Sequence, residues 1–131
     1  MTKEEKIKYW IDLSDDDLAV AHTMLANKHY LYVGFMCHQV IEKIFKAYYV
    51  KLNDKTPPYT HELPYLAQEG CFYETLSEEQ KLFIDRLNPL NIRTRYPSYK
   101  DNLSKLLTPD RCVEIIEQTK LLHQWTIKKL S

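Results

Sequence analysis

Between Tyr30 and Asn53 the chain reads YLYVGFMCHQVIEKIFKAYYVKLN, and the periodicity of that stretch decides the fold. Placed at about 100° per residue, Phe35, Met36, Val40, Ile41, Ile44, Phe45, Ala47, Tyr48 and Tyr49 fall across an arc of roughly 220°. Gln39, Lys43 and Lys46 are left to face water. An arc that wide needs neighbours on several sides, so the spacing predicts a helix over Tyr30–Asn53 that is the most buried of the molecule. Lys55-Thr56-Pro57-Pro58 then stops it, because paired prolines remove donors and push the preceding residue out of the helical region.

Working outward from this helix, the upstream segment from Thr2 or Lys3 to Asn27 is also helical in period. Ile7, Trp10, Ile11, Leu18, Ala21 and Leu25 return to one face. Tyr9, Leu13, Val20 and Met24 form a second stripe beside it, which predicts two packing partners. Asp17 falls inside that apolar arc, where an unpaired carboxylate is costly, so it requires a cation. Arg93 or Arg95 is one expected partner and a lysine is the other.

Downstream, Thr60 is the expected N-cap of a short helix running through Glu69, with Gly70 as a left-handed C-cap. Ser77-Glu78-Glu79-Gln80 reads as a capping box opening a fourth helix, which Asn88-Pro89 closes or kinks. Periodicity weakens from Asn91 to Leu106, where basic and aromatic residues gather. Thr108-Pro109-Asp110 starts a last helix reaching Leu130: the threonine caps, the proline suits the first turn, and the aspartate complements the dipole. Its inward face is expected to hold Cys112, Val113, Ile116, Thr119, His123, Ile127 and Leu130. Leu121 and Trp125 point the other way and form a candidate contact surface.

Only two glycines and no clusters of β-branched residues argue against hairpins and sheets, so the expected fold class is an all-α, four- to five-helix up-and-down bundle formed by one domain over residues 1–131. Eighteen basic residues balance eighteen acidic ones, so any anion site must be built locally. Cys37, Cys71 and Cys112 lack the spacing of a zinc site and read as reduced packing residues. No metal, cofactor or membrane contact is expected. Met1 to Lys8 is charged, with no apolar export segment after it, which makes the cytoplasm the expected location.

The block Tyr30-Leu31-Tyr32-Val33-Gly34-Phe35-Met36-Cys37-His38-Gln39-Val40-Ile41-Glu42-Lys43-Ile44-Phe45-Lys46-Ala47 resembles the second-helix signature of the HEPN family (higher eukaryotes and prokaryotes nucleotide-binding). Thr60-His61-Glu62-Leu63 is similar to that family's Thr-His-x-Leu step, and Arg95-Tyr96-Pro97 to its Arg-Tyr-Pro loop. The resemblance implies a bundle that commonly forms homodimers and works beside nucleotides or RNA. It further implies a minimal nucleotidyltransferase as partner, in a toxin–antitoxin pair. The family's nucleases carry an arginine followed, after four to six residues, by a histidine. No such histidine follows Arg86, Arg93, Arg95 or Arg111, so the group that usually moves the proton is absent from the motif. A non-catalytic binding module is the leading expectation, and a divergent metal-independent endoribonuclease the alternative.

The candidate binding residues follow. Arg93, Arg95 and Lys100 bear the cations for phosphate oxygens, and Tyr96 or Tyr99 is placed to stack on a base. Asp17 is expected to position that loop. His38, one turn before Glu42, is a candidate whose tautomer the carboxylate can fix, set against the alternative of a hydrogen-bonded core residue. His61 reads as packing at a helix start. His22, His29 and His123 have no evident constellation.

Overall fold

The computed structural model describes residues 1–91 and 97–131, the side chains of residues 97–100 apart. Among the described residues six helices follow one another: α1 (Lys3–Ala26), α2 (Tyr30–Asn53), α3 (Leu63–Glu69), α4 (Glu78–Leu87), α5 (Pro97–Leu106) and α6 (Pro109–Lys129), with short 3-10 turns at Tyr73–Thr75 and Asn88–Leu90. No strand occurs among the described residues, and none of their helices is long and apolar enough to cross a membrane.

α2 is the axis of the bundle and touches all five other helices. Val33, Cys37, Val40, Ile41, Ile44, Phe45 and Ala47 are fully enclosed. Each large apolar side chain among them contributes about 1.5–3 kcal/mol on leaving water. α1 lies along one side of α2 and also meets α6, the two neighbours its wide arc predicts. Its close approach runs through two small residues a heptad apart, Ser14 and Ala21, the only fully buried positions of α1. The Ser14 hydroxyl donates to the Val40 carbonyl at 2.8 Å, which ties the two helices together. With the approach this close at Ser14 and Ala21, the second stripe of α1 is left near the surface, and Tyr9 and Val20 are exposed rather than packed.

Four local expectations are corrected. Gln39 and Lys46, expected to face water, are buried, and Lys43 is half-buried, because polar partners described below cover that side of α2. Thr60 is not the cap of α3: its hydroxyl accepts from the Glu62 amide, while the first amide of the helix, Leu63, donates to Asn88 Oδ1 at 2.9 Å. A side chain of another element satisfies the orphan donor that a local cap would otherwise serve. Gly70 is right-handed (φ −77°), and the left-handed residue is Cys71 (φ 67°), whose side chain is exposed rather than packed. Glycine is nevertheless required at 70, since a Cβ there would stand 2.6 Å from the Phe72 ring.

The fourth correction concerns α6. Cys112, Ile116, Thr119, Leu122, His123 and Thr126 form the buried stripe, and Val113, one position off it, is half exposed. Trp125 is not free on the opposite face. It packs edge-on against Tyr48, ring centroids 6.4 Å apart, and Tyr48 continues to Phe72 at 4.6 Å and Phe72 to Phe45 at 5.1 Å. Leu121 remains exposed. The capping box at Ser77 and the Thr108 cap form as expected, each hydroxyl accepting from the amide three residues on.

Candidate functional site

One side of α2 carries a run of polar side chains that the bundle encloses. Its first member is His38, with no exposed surface. The Nε2 hydrogen is donated to the His61 carbonyl at 2.9 Å, and that contact fixes the tautomer, because a carbonyl oxygen only accepts. Nδ1 therefore carries the lone pair, and Gln39 Nε2 lies 3.5 Å from it. Glu42 Oε1 is 3.8 Å from the same nitrogen, too far for a hydrogen bond. The expectation that Glu42 fixes this ring is thus replaced by a backbone carbonyl reaching in from the start of α3. Burial holds the imidazole down at about 4, with Glu42 opposing, so His38 is neutral at physiological pH.

The Glu42 carboxylate, itself buried, serves two other groups. Oε1 accepts from His61 Nδ1 at 2.8 Å, and Oε2 from Lys46 Nζ at 3.1 Å. Lys46 lies over Trp10, 5.3 Å from the ring centroid, and 6.0 Å from the centroid of Tyr59. This buried pair and its aromatic lid explain why Lys46 leaves water: the ammonium keeps a counter-charge and two π faces. His61 is part-exposed, and the Tyr59 ring stands edge-on to it with centroids 5.7 Å apart.

A second run of contacts leads away from this centre. Lys43 Nζ donates to Asp17 Oδ2 at 2.6 Å and to Gln39 Oε1 at 3.1 Å, and the Gln39 amide donates to Asn91 Oδ1 at 3.0 Å. Asp17 thus has a lysine partner. Arg93, Arg95 and Tyr96 lie outside the described residues, and so does the side chain of Lys100, whose backbone forms part of the first turn of α5. Of the six residues expected from sequence, the structure therefore places His38 and Asp17, on two arms of one network joined through Gln39.

Sequence reading missed the Glu42–His61–Lys46 cluster. A signal for it existed: on the wheel of α2, Glu42 falls between Tyr49 and Phe35, within the apolar arc, and the requirement argued for Asp17 applies to it equally. Its histidine partner stands 19 positions away and follows a proline pair, beyond the reach of local spacing. The two buried thiols offer no chemistry. Burial pushes the Cys37 thiol up to about 12 and that of Cys112 to about 11, so neither is a nucleophile. Among the described residues no group of side chains is arranged to hold a metal ion.

The HEPN domain model matches residues 7–130, nearly the whole chain. The chain belongs to the HEPN domain family. No curated protein and no solved structure matches it. In this HEPN domain, the second-helix signature supplies His38, Gln39, Glu42, Lys43 and Lys46, and the Thr-His-Glu-Leu step supplies His61. Two segments that carry the family resemblance in the sequence are therefore joined in space, through Glu42 and through the His38–His61 hydrogen bond.

Proposed function

We propose that this HEPN domain is a nucleotide- or RNA-binding module that works as a homodimer in the cytoplasm, beside a minimal nucleotidyltransferase in a toxin–antitoxin pair. The observation that carries the binding role is the Gln39–Asn91 hydrogen bond. It holds the chain two residues before Arg93 against the polar side of α2, next to the Lys43–Asp17 pair. The guanidinium groups of Arg93 and Arg95, with Lys100, supply the donors that phosphate oxygens require, and Tyr96 supplies a stacking face. Asp17 pairs with Lys43 on the same polar side of α2. The membership in a family named for nucleotide binding supports the same ligand class. The nucleotidyltransferase partner and the toxin–antitoxin setting rest on the family resemblance alone.

The test is binding of labelled nucleotides and short single-stranded RNA to the wild type and to an Arg93→Ala/Arg95→Ala variant, with RNA integrity read from the same samples. The expected result is saturable binding, weakened at least tenfold in the variant, with RNA intact. Arginine-dependent cleavage would instead establish the endoribonuclease. Binding that ignores both arginines would remove them from the site.

A further inference from the structure

His61 is held on one edge, and among the described residues nothing holds the other. Its Nδ1 faces a carboxylate that is almost fully enclosed and can only accept, so the hydrogen resides on Nδ1 and, in the neutral ring, the lone pair on Nε2. Nε2 has no partner among the described residues. The orientation is fixed at three points. Glu42 holds the ring, His38 holds the backbone carbonyl, and the Thr60 hydroxyl accepts from the Glu62 amide across the step. A hydrogen-bond acceptor so constrained loses little entropy when a ligand donor meets it.

Beside it stands Tyr59, 88% exposed, its ring packed edge-on against the imidazole at 5.7 Å. Pro57 and Pro58 precede it and limit the backbone freedom of the segment that presents it. A large aromatic ring this exposed, beside an acceptor that has no partner among the described residues, has the makings of a stacking platform with a polar group at its edge. Bases of every kind stack on such rings, and a base lying on Tyr59 carries its sugar past the ring edge toward His61. The sugar group that donates a hydrogen bond and distinguishes RNA from DNA is the ribose 2′-hydroxyl.

We propose that Tyr59 and His61 form a ribonucleoside subsite, in which Tyr59 stacks on the base and His61 Nε2 accepts from the ribose 2′-hydroxyl. This rests on the nucleotide-binding reading above and narrows it to RNA over DNA. Glu42 acts as a positioning residue, and Lys46 holds it in place through the second carboxylate oxygen.

The experiment compares three labelled oligonucleotides of one sequence, as RNA, as DNA and as 2′-O-methyl RNA, against the wild type, Tyr59→Ala, His61→Ala and His61→Gln. The wild type is expected to prefer RNA over both other strands by about tenfold, the factor that about 1.4 kcal/mol supplies. His61→Ala should lose that preference by weakening RNA alone, with DNA and 2′-O-methyl RNA unchanged. Tyr59→Ala should weaken all three strands by a similar factor of at least five, since a lost stack is indifferent to the sugar. His61→Gln, which offers a side-chain carbonyl, should restore part of the preference. RNA cleavage that vanishes in His61→Ala would also support a contact to the 2′-hydroxyl.

A wild type that binds RNA, DNA and 2′-O-methyl RNA alike sinks the proposal without reference to any variant. So does a His61→Ala protein that keeps the full RNA preference. In both cases the loss of binding in Arg93→Ala/Arg95→Ala still upholds the wider binding reading, so the two fail separately. A wild type that binds none of the strands ends both.

Discussion

A buried neutral histidine makes this fold sensitive to acid. His38 is held at about 4 in the folded chain by burial, against an ordinary value of 6.5. The unfolded chain therefore binds a proton between these values that the folded chain refuses. Stability is fully present above pH 6.5 and is lost as the pH falls toward 4, by a total of about 3 kcal/mol. Urea unfolding at pH 7.5, 5.5 and 4.5 should show the loss, and a His38→Gln variant should show a shallower slope over the same window. Equal slopes in both proteins would place the acid sensitivity elsewhere. That a histidine in the apolar arc of α2 must be hydrogen-bonded is legible from sequence. The identity of its partner is not, because the deciding atom is the backbone carbonyl of His61, 23 positions away, while the carboxylate at the inviting i+4 spacing stands 3.8 Å off, beyond hydrogen-bond reach.

At the scale of the element, Gly70 shows how a correct residue can be assigned a wrong cause. Its position after α3 invites a left-handed cap, yet the backbone there is right-handed, and the constraint comes from the Phe72 ring, 2.6 Å from where a Cβ would stand. Phe72 cannot yield easily, being fully enclosed and gripped by Phe45 and Tyr48. Gly70→Ala should therefore destabilise the protein by about 1–3 kcal/mol through overpacking, although the same exchange at an unobstructed right-handed position stabilises. A thermal midpoint equal to or above that of wild type would refute the steric argument. The same contrast separates the helices that sequence foretells from the one it does not. α1, α2, α4 and α6 carry either a clear apolar period or a local cap written in adjacent residues. In and just after α5 the buried residues among the described side chains are Leu103 and Leu107, one turn apart, too few to raise a period above the polar and aromatic residues around them.

For the whole molecule, the same long-range logic explains why the bundle was legible and the polar centre was not. Hydrophobic period is local and survives in one segment at a time, whereas Asp17, Gln39, Glu42, Lys43, His61 and Asn91 come from two helices and two connections and meet only when all four are in place. The outer surface obeys neither rule and bears on the homodimer proposed above. Between α4 and α6 runs a groove of about 260 Å³ lined by Phe83, Leu121, Leu122 and Trp125, with Leu121 67% exposed at its edge. Trp125 is a poor probe of this face, because it also supports Tyr48 in the core. Leu121→Asp is the cleaner one: exposed as it is, the exchange should alter monomer stability by no more than about 0.5 kcal/mol. Light scattering should give a wild-type mass of twice the 15.7 kDa chain, and the Leu121→Asp protein should return to the single-chain mass with an unchanged circular dichroism spectrum. A variant that stays dimeric would move the seam off this groove, and a monomeric wild type at high micromolar concentration would remove the homodimer itself.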